Sequence, residues 1–230
     1  MSRNQTIIAV VAVVVILLAA AGYYLFFPTS SSSDAIPADA TAAGASFTVT
    51  ADDHTMGSPK AKVTVIEYAA LTCPHCAHFN ETVFPQLKQQ YIDTGKIYYV
   101  FRVFPLHPSD GAAEAMAECL PKDQYFQFTD LLFRNQQDWD WEYHTTDATP
   151  FDIHGGLVKM GRIAGMTPDQ VDKCIADKAV QDHVNKVAQD AQTKYNISQT
   201  PTFVINGYPR TDVATWPDMQ KALDTLLAKK

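Results

Sequence analysis

Two cysteines three positions apart, Cys73 and Cys76, enclose Pro74 and His75. That spacing serves three kinds of chemistry: a redox couple, half of a metal site, or a plain structural disulfide. A zinc site would draw on Cys73, His75, Cys76 and His78. Four ligands packed so closely do not readily close a tetrahedron, and the chain has no second C-x-x-C and no H-x-x-x-H. A purely structural bridge across so short a loop constrains little of the unfolded chain. A redox couple needs an accessible cysteine with a lowered pKa, because the thiolate is the nucleophile. A helix starting at Cys73 meets that need: its unpaired N–H groups and positive dipole end stabilise a thiolate there, and Cys76 lies one turn on, placed to close the bond. Pro74 fits a first helical turn at little cost. The His75 ring, charged or donating an N–H, is a second source of stabilisation, whereas His78 lies beyond Cys76.

The elements that position this motif are legible on either side of it. Val63 to Ala69, VTVIEYA, is a β-rich run of strand length, and the helical CPHCAHFNETVFPQLKQQY follows, with a break expected near Pro85 and an end at Gly95. Ile97 to Phe104 is a second strand, so the order strand, helix, strand implies a parallel pair with a right-handed crossover. Phe47 to Thr50 is a candidate edge strand. From Pro108 to about Ile197 the patterns are helical, including a capping box at Thr167–Gln170 and an apolar stripe at Val180, Val184, Val187, Ala191 and Tyr195. The segment DWDWEYHTTDATPFD is expected to be a loop whose tryptophans pack. Thr202 to Ile205 is a strand, Asn206-Gly207 a hairpin turn, and Thr215 to Leu227 a closing helix.

Glu67 breaks the pattern of its strand. If VTVIEYA is central and covered on both faces, a carboxylate sharing a face with Val63 and Val65 contradicts the apolar rule, and such exceptions cluster at functional sites. The alternative is a solvated glutamate near the strand end.

Composition narrows the setting. The formal net charge is −7 and the basic residues are scattered, so no electrostatic footprint for nucleic acid is present. Residues 7–27 carry no charge and would span about 31 Å as a helix, against a hydrocarbon core of roughly 30 Å. They are expected to be a transmembrane signal-anchor, with Tyr23 and Tyr24 at the interface, Arg3 and the rest of residues 1–6 cytoplasmic, and everything after Pro28 outside. Small-residue sites such as Ala38-Asp39-Ala40 leave a cleaved, soluble form as the alternative. Residues 28–45 are small, polar and proline-punctuated, a flexible linker. A domain exported on such a tether occupies a compartment where disulfides persist.

The stretches VIEYAALTCPHC, FPLHPSDGAAEAMAEC and TPTFVING, over about Val63 to Leu227, resemble the DsbA-like thiol:disulfide oxidoreductases of the thioredoxin superfamily. The resemblance implies an α/β thioredoxin fold, residues 46–107 and 198–230, interrupted by an all-helical insertion, residues 108–197. It implies Cys73 as nucleophile, Cys76 as its partner, and Pro201 in the cis form facing the disulfide; an ordinary strand-start proline is the alternative. A cis bond would leave the Thr200 backbone free to pair with an extended substrate segment, and Glu67 would relay a proton to or from Cys76. Some members carry a second disulfide in the insertion, where Cys119 and Cys174 fall; two unpaired thiols are the alternative. The implied activity is oxidation of unfolded or reduced exported proteins at the periplasmic face of the inner membrane. Reoxidation would come from a quinone-linked membrane partner, with no bound cofactor. Threonine before the proline, where the best-known oxidising members carry valine, keeps a reductase or isomerase using the same site as the alternative. A metal-binding or substrate-holding module without redox cycling is the rival from another class. A lysine often facing the buried acid is not evident; Arg102 is the nearest basic residue.

Overall fold

The computed structural model describes residues 48–140 and 151–229. The expected membrane segment, linker and N-terminal cytoplasmic residues lie outside these, as does most of the expected loop after Asp140. Among the described residues no helix is long and apolar enough to cross a membrane.

Among the described residues five strands make one sheet: β1 (His54–Gly57), β2 (Val63–Ala69), β3 (Ile97–Val103), β4 (Thr202–Ile205) and β5 (Tyr208–Arg210), in the order β1-β3-β2-β4-β5. β2 and β3 are parallel, with Glu67 level with Phe101, and every other pairing is antiparallel. The crossover between β2 and β3 is helical: α1 (Pro74–Thr82), α2 (Phe84–Leu87) and a π-helical turn, Lys88–Ile92. The break between α1 and α2 falls where Pro85 lacks the N–H that would bond the Glu81 carbonyl. Gly95, at φ 68°, ends the segment with an N–H to the Ile92 carbonyl. Asn206 and Gly207, at φ 49° and 87°, make the tight β4–β5 turn, where left-handed backbone at both positions matches the strand twist.

The edge strand differs from the one expected. Thr48 to Thr50 forms no strand; the Asp53 carboxylate accepts the Thr50 N–H at 2.7 Å, turning the chain, and the Thr48 carbonyl accepts from the Arg102 side chain instead of a ladder. Pairing falls to His54–Gly57, a run of weak β-propensity that the β3 edge nonetheless recruits.

Between β3 and β4 lie α3 (Pro108–Cys119), α4 (Tyr125–Arg134), α5 (Gln136–Trp139), α6 (Ile153–Ile163), α7 (Pro168–Ile175) and α8 (Lys178–Tyr195); α9 (Trp216–Leu227) closes the chain. Thr167 and Gln170 form the expected capping box at α7. The sheet divides the core in two. One face, with Val63, Val65, Tyr99 and Phe203, packs against α1, α9 and the insertion; the other, with Ile66, Tyr68, Val100 and Val204, is covered by Ala188, Ala191 and Tyr195 of α8. The stripe on α8 thus serves both bodies, since Val184 joins the first cluster. Cys119, ending α3, is disulfide-bonded to Cys174 of α7 across 55 positions of sequence. Trp139 is fully buried, a packing residue as expected, but it and Asp138 end helix α5 where the loop was expected to begin.

Candidate active site

β2 delivers the chain to the first turn of α1, and Cys73 is the N-cap of that helix, in extended conformation with Pro74 in the first turn. Cys73 and Cys76 are free thiols, exposing 4% and 0% of their surface. Cys73 Sγ donates to the Thr200 carbonyl at 3.5 Å, which brings together residues 127 positions apart. The Thr200–Pro201 bond is cis and presents that carbonyl to the thiol. Beside the pair a cleft of about 610 Å³ is lined by His75, His78, Val83, Pro201, Ala214 and Trp216.

The two sulfurs differ in acidity. The Cys73 pKa falls from the ordinary thiol value of 9.0 to about 6, chiefly because the Cys76 thiol hydrogen-bonds to its sulfur. Burial opposes the shift; the Thr200 side chain and the backbone N–H groups of Cys76 and His75 add to it. Cys76 is pushed well above the ordinary value, first by burial and then by Cys73 and the Glu67 charge. Among the described residues the buried Thr200 hydroxyl has no hydrogen-bond partner, yet it lies close enough to favour the ionised form of either sulfur. His75 acts through its backbone N–H; its ring is exposed.

Glu67 is 2% exposed, on the same face of β2 as Val63 and Val65. Tyr99 Oη donates to its Oε2 at 2.7 Å. Burial raises the Glu67 pKa from 4.5 to about 7, opposed by the Tyr99 hydrogen bond and reinforced by a Cys73 thiolate. Arg102 points to the opposite face, level with Tyr68, and is engaged by Asp53 at 2.7 Å and by Tyr68 at 2.9 Å. The partner that sequence reading sought in a lysine is here a tyrosine hydroxyl.

The insertion grips the turn that holds the dithiol. Asp110 of α3, fully buried, accepts from the Thr72 N–H at 2.8 Å and hydroxyl at 3.1 Å, and also from the Leu106 and His107 N–H groups. Gln136 of α5 reaches the same turn. Among the described residues the histidine and acidic side chains close enough to share an ion are His54, Glu114 and Glu118, not His75 and His78.

A family model described as thioredoxin matches residues 49–225. In solved structures, alpha-DsbA1 of Wolbachia pipientis superposes with a TM-score of 0.69 at 30% identity, over 79% of this chain and 94% of that one. The chain belongs to the thioredoxin family, as a DsbA-like member. A putative protein-disulfide oxidoreductase of Rickettsia bellii is 31% identical over 163 residues, 70% of this chain and 60% of that protein. A probable disulfide bond formation protein D of Bacillus cereus is 29% identical, over 76% of this chain and 79% of the relative. The chain thus spans less than two thirds of the length of its Rickettsia relatives.

Sequence reading singled out Cys73, Pro74, His75, Cys76, Glu67, Thr200 and Pro201; of these, the fold brings both thiols and Thr200 within hydrogen-bonding range, and Pro201 lines the cleft beside them. It missed Tyr99, Asp110, Thr72 and Gln136. For Tyr99 a signal existed: it shares the face of β3 on which Ile97 and Phe101 are buried, level with the strand carrying Glu67. Asp110 offered only its place in the first turn of a helix, and Gln136 offered none.

Proposed function

We propose that this protein is a thiol:disulfide oxidoreductase that oxidises the thiols of unfolded or reduced exported proteins. The observation carrying this reading is the asymmetry of the pair: a Cys73 thiol of pKa about 6 at a helix start, beside a Cys76 thiol pushed far up. Stabilising the Cys73 thiolate favours the reduced enzyme and so makes the disulfide form an oxidant. A pKa of about 6 lies between those of thioredoxin, roughly 7, and DsbA, roughly 3.5.

In the forward direction a substrate thiolate attacks Cys73 Sγ of the Cys73–Cys76 disulfide. The bond between the two enzyme sulfurs breaks, a mixed disulfide forms, and Cys76 leaves with the electron pair. Glu67, protonated below its pKa of about 7, is the proton source for that sulfur. A second substrate thiolate then attacks the substrate sulfur of the mixed disulfide and Cys73 departs as thiolate. Two electrons have passed to the enzyme, and the substrate holds a new disulfide. An extended substrate segment pairs with the backbone at Thr200, and its side chains enter the cleft by Val83 and Trp216. A quinone-linked membrane protein reoxidises the dithiol. Residues 7–27 tether the enzyme to the inner membrane with the catalytic domain on the periplasmic side.

The redox equilibrium with glutathione tests the direction, together with thiol trapping in acid-quenched cells. An oxidase is trapped mainly with Cys73 and Cys76 bonded; a pair kept reduced sinks the oxidase reading in favour of an isomerase. Carbonate extraction of membranes, with and without residues 7–27, tests the tether: release of the full chain by carbonate would count against it.

A further inference from the structure

Gln136 sits in the insertion, on the four-residue helix α5, and exposes 3% of its surface. Its Nε2 donates to two carbonyls of the turn between β2 and α1, Leu71 O at 2.7 Å and Cys73 O at 3.1 Å. The second of these bonds acts on an unusual peptide. Because proline follows Cys73, the plane between them has no N–H, and the Cys73 carbonyl is its only hydrogen-bonding group. Among the described residues two donors hold that carbonyl: the Ala77 N–H of α1 at 3.0 Å and the Gln136 amide. Turning the plane changes ψ of Cys73, now 120°, and swings the start of α1 relative to the Cys73 side chain. The backbone N–H groups of His75 and Cys76, which stabilise the thiolate, swing with it.

The support beneath Gln136 is firm. Trp139, one turn on, donates Nε1 to the Leu132 carbonyl at 2.8 Å. Gly156 of α6 lies so close that a Cβ there would fall 2.5 Å from Trp139 Cα and 2.6 Å from the Asp138 carbonyl. Asn135, just before α5, bonds back to the Leu131 carbonyl at 2.7 Å. A side chain anchored on so tightly packed an element can hold a peptide plane, not merely follow it.

We propose that Gln136 is a positioning residue for disulfide exchange: it fixes the Cys73–Pro74 peptide so that the first N–H groups of α1 stay aimed at the Cys73 sulfur. The helical insertion then takes part in setting the acidity of Cys73, through a side chain that holds the backbone ahead of α1. This rests on Cys73 being the activated thiol, which titration of the wild-type protein tests by itself; an ordinary Cys73 pKa there would overturn that reading whatever Gln136 does.

The test compares thiolate absorbance against pH, and the glutathione equilibrium, in wild type, Gln136→Met, Gln136→Asn and Trp139→Phe. Methionine keeps the buried volume without the donor; asparagine keeps an amide one methylene too short to reach both carbonyls. In both variants the thiolate-to-thiol ratio of Cys73 at a given pH should fall about tenfold, one pKa unit. The glutathione equilibrium should move toward the enzyme disulfide by up to the same factor. Trp139→Phe loses an anchoring hydrogen bond of α5 but keeps the Gln136 amide, and should lower the melting temperature while moving the titration by less than either Gln136 variant. If Gln136→Met fails to fold, Gln136→Asn decides alone. A titration unchanged in the folded Gln136 variants, or moved as far by Trp139→Phe, overturns the proposal.

Discussion

Tyr99 donates its hydroxyl hydrogen to Glu67 at 2.7 Å, between two parallel strands and beneath the dithiol turn, where both side chains are within 2% of full burial. The hydrogen bond favours the carboxylate while burial favours the acid, and the balance leaves Glu67 near pKa 7. The exchange steps in which Cys76 leaves or attacks should therefore carry an inflection near pH 7. Glu67→Gln should abolish it, and Tyr99→Phe should move it upward by about one unit, since a bond to the charged form is lost. Stopped-flow exchange with a small thiol from pH 5 to 9 is the measurement; profiles superimposable on wild type would make the carboxylate a bystander.

Cys76 is the largest source of the low Cys73 pKa, through its thiol hydrogen bond, which separates two variants of that residue. Cys76→Ser retains a hydroxyl donor and should leave the Cys73 pKa within about one unit of wild type; Cys76→Ala should raise it by more than one unit. His75→Ser should move it less than Cys76→Ala, because the His75 N–H remains and the ring is exposed. Thiolate absorbance orders the three, and equal shifts in the serine and alanine variants of Cys76 would refute the assignment.

Glu114 predicts a pH dependence of stability. Burial lifts its pKa from 4.5 to about 8, opposed by the Tyr125 hydroxyl at 2.8 Å and reinforced by Glu118 and Asp110, while His54 lies against Glu118 at 2.8 Å. Below pH 4.5 the residue is protonated in both folded and unfolded chains. Between 4.5 and 8 the unfolded chain releases the proton and the folded one keeps it, so stability falls as pH rises, at up to about 1.4 kcal/mol per unit. Above pH 8 the loss is complete. Urea unfolding at pH 5, 6.5 and 8 should show a smaller decline in Glu114→Gln than in wild type; parallel declines would show that the carboxyl ionises normally.

Cys119 and Cys174 close a loop whose cross-link is worth roughly 4 kcal/mol on the chain-entropy account. Replacing both by alanine should lower the melting temperature by about 10 °C in a domain of this size and leave exchange at Cys73 intact. Alkylation of the unreduced, unfolded protein, read by mass spectrometry, should find neither Cys119 nor Cys174 free; modification of both would remove the bridge from the account.

The sequence by itself determined what depends on neighbours a few positions apart. Cys73, Pro74 and Cys76 announce a helix start and a dithiol, Thr167 and Gln170 a cap, and Asn206-Gly207 a hairpin, because capping and turn chemistry act over two to four residues. Glu67 could be singled out as an anomaly within its own strand, since alternation along a strand is local too. Its partner was another matter. Tyr99 meets Glu67, and Arg102 faces away to Asp53, only because β3 pairs with β2 in one register, and a slip by one residue would exchange them. The edge strand moved from the β-prone run before Thr50 to His54–Gly57 for a related reason: the Thr50–Asp53 turn and the open side of β3 outweigh propensity. Thr200 reaches Cys73 across 127 positions, and Gln136 across 63, and nothing in either local sequence marks the meeting. The dithiol was written in the order of residues; the surroundings that give its two sulfurs different acidities came from strand register and from the docking of the helical insertion onto the turn between β2 and α1.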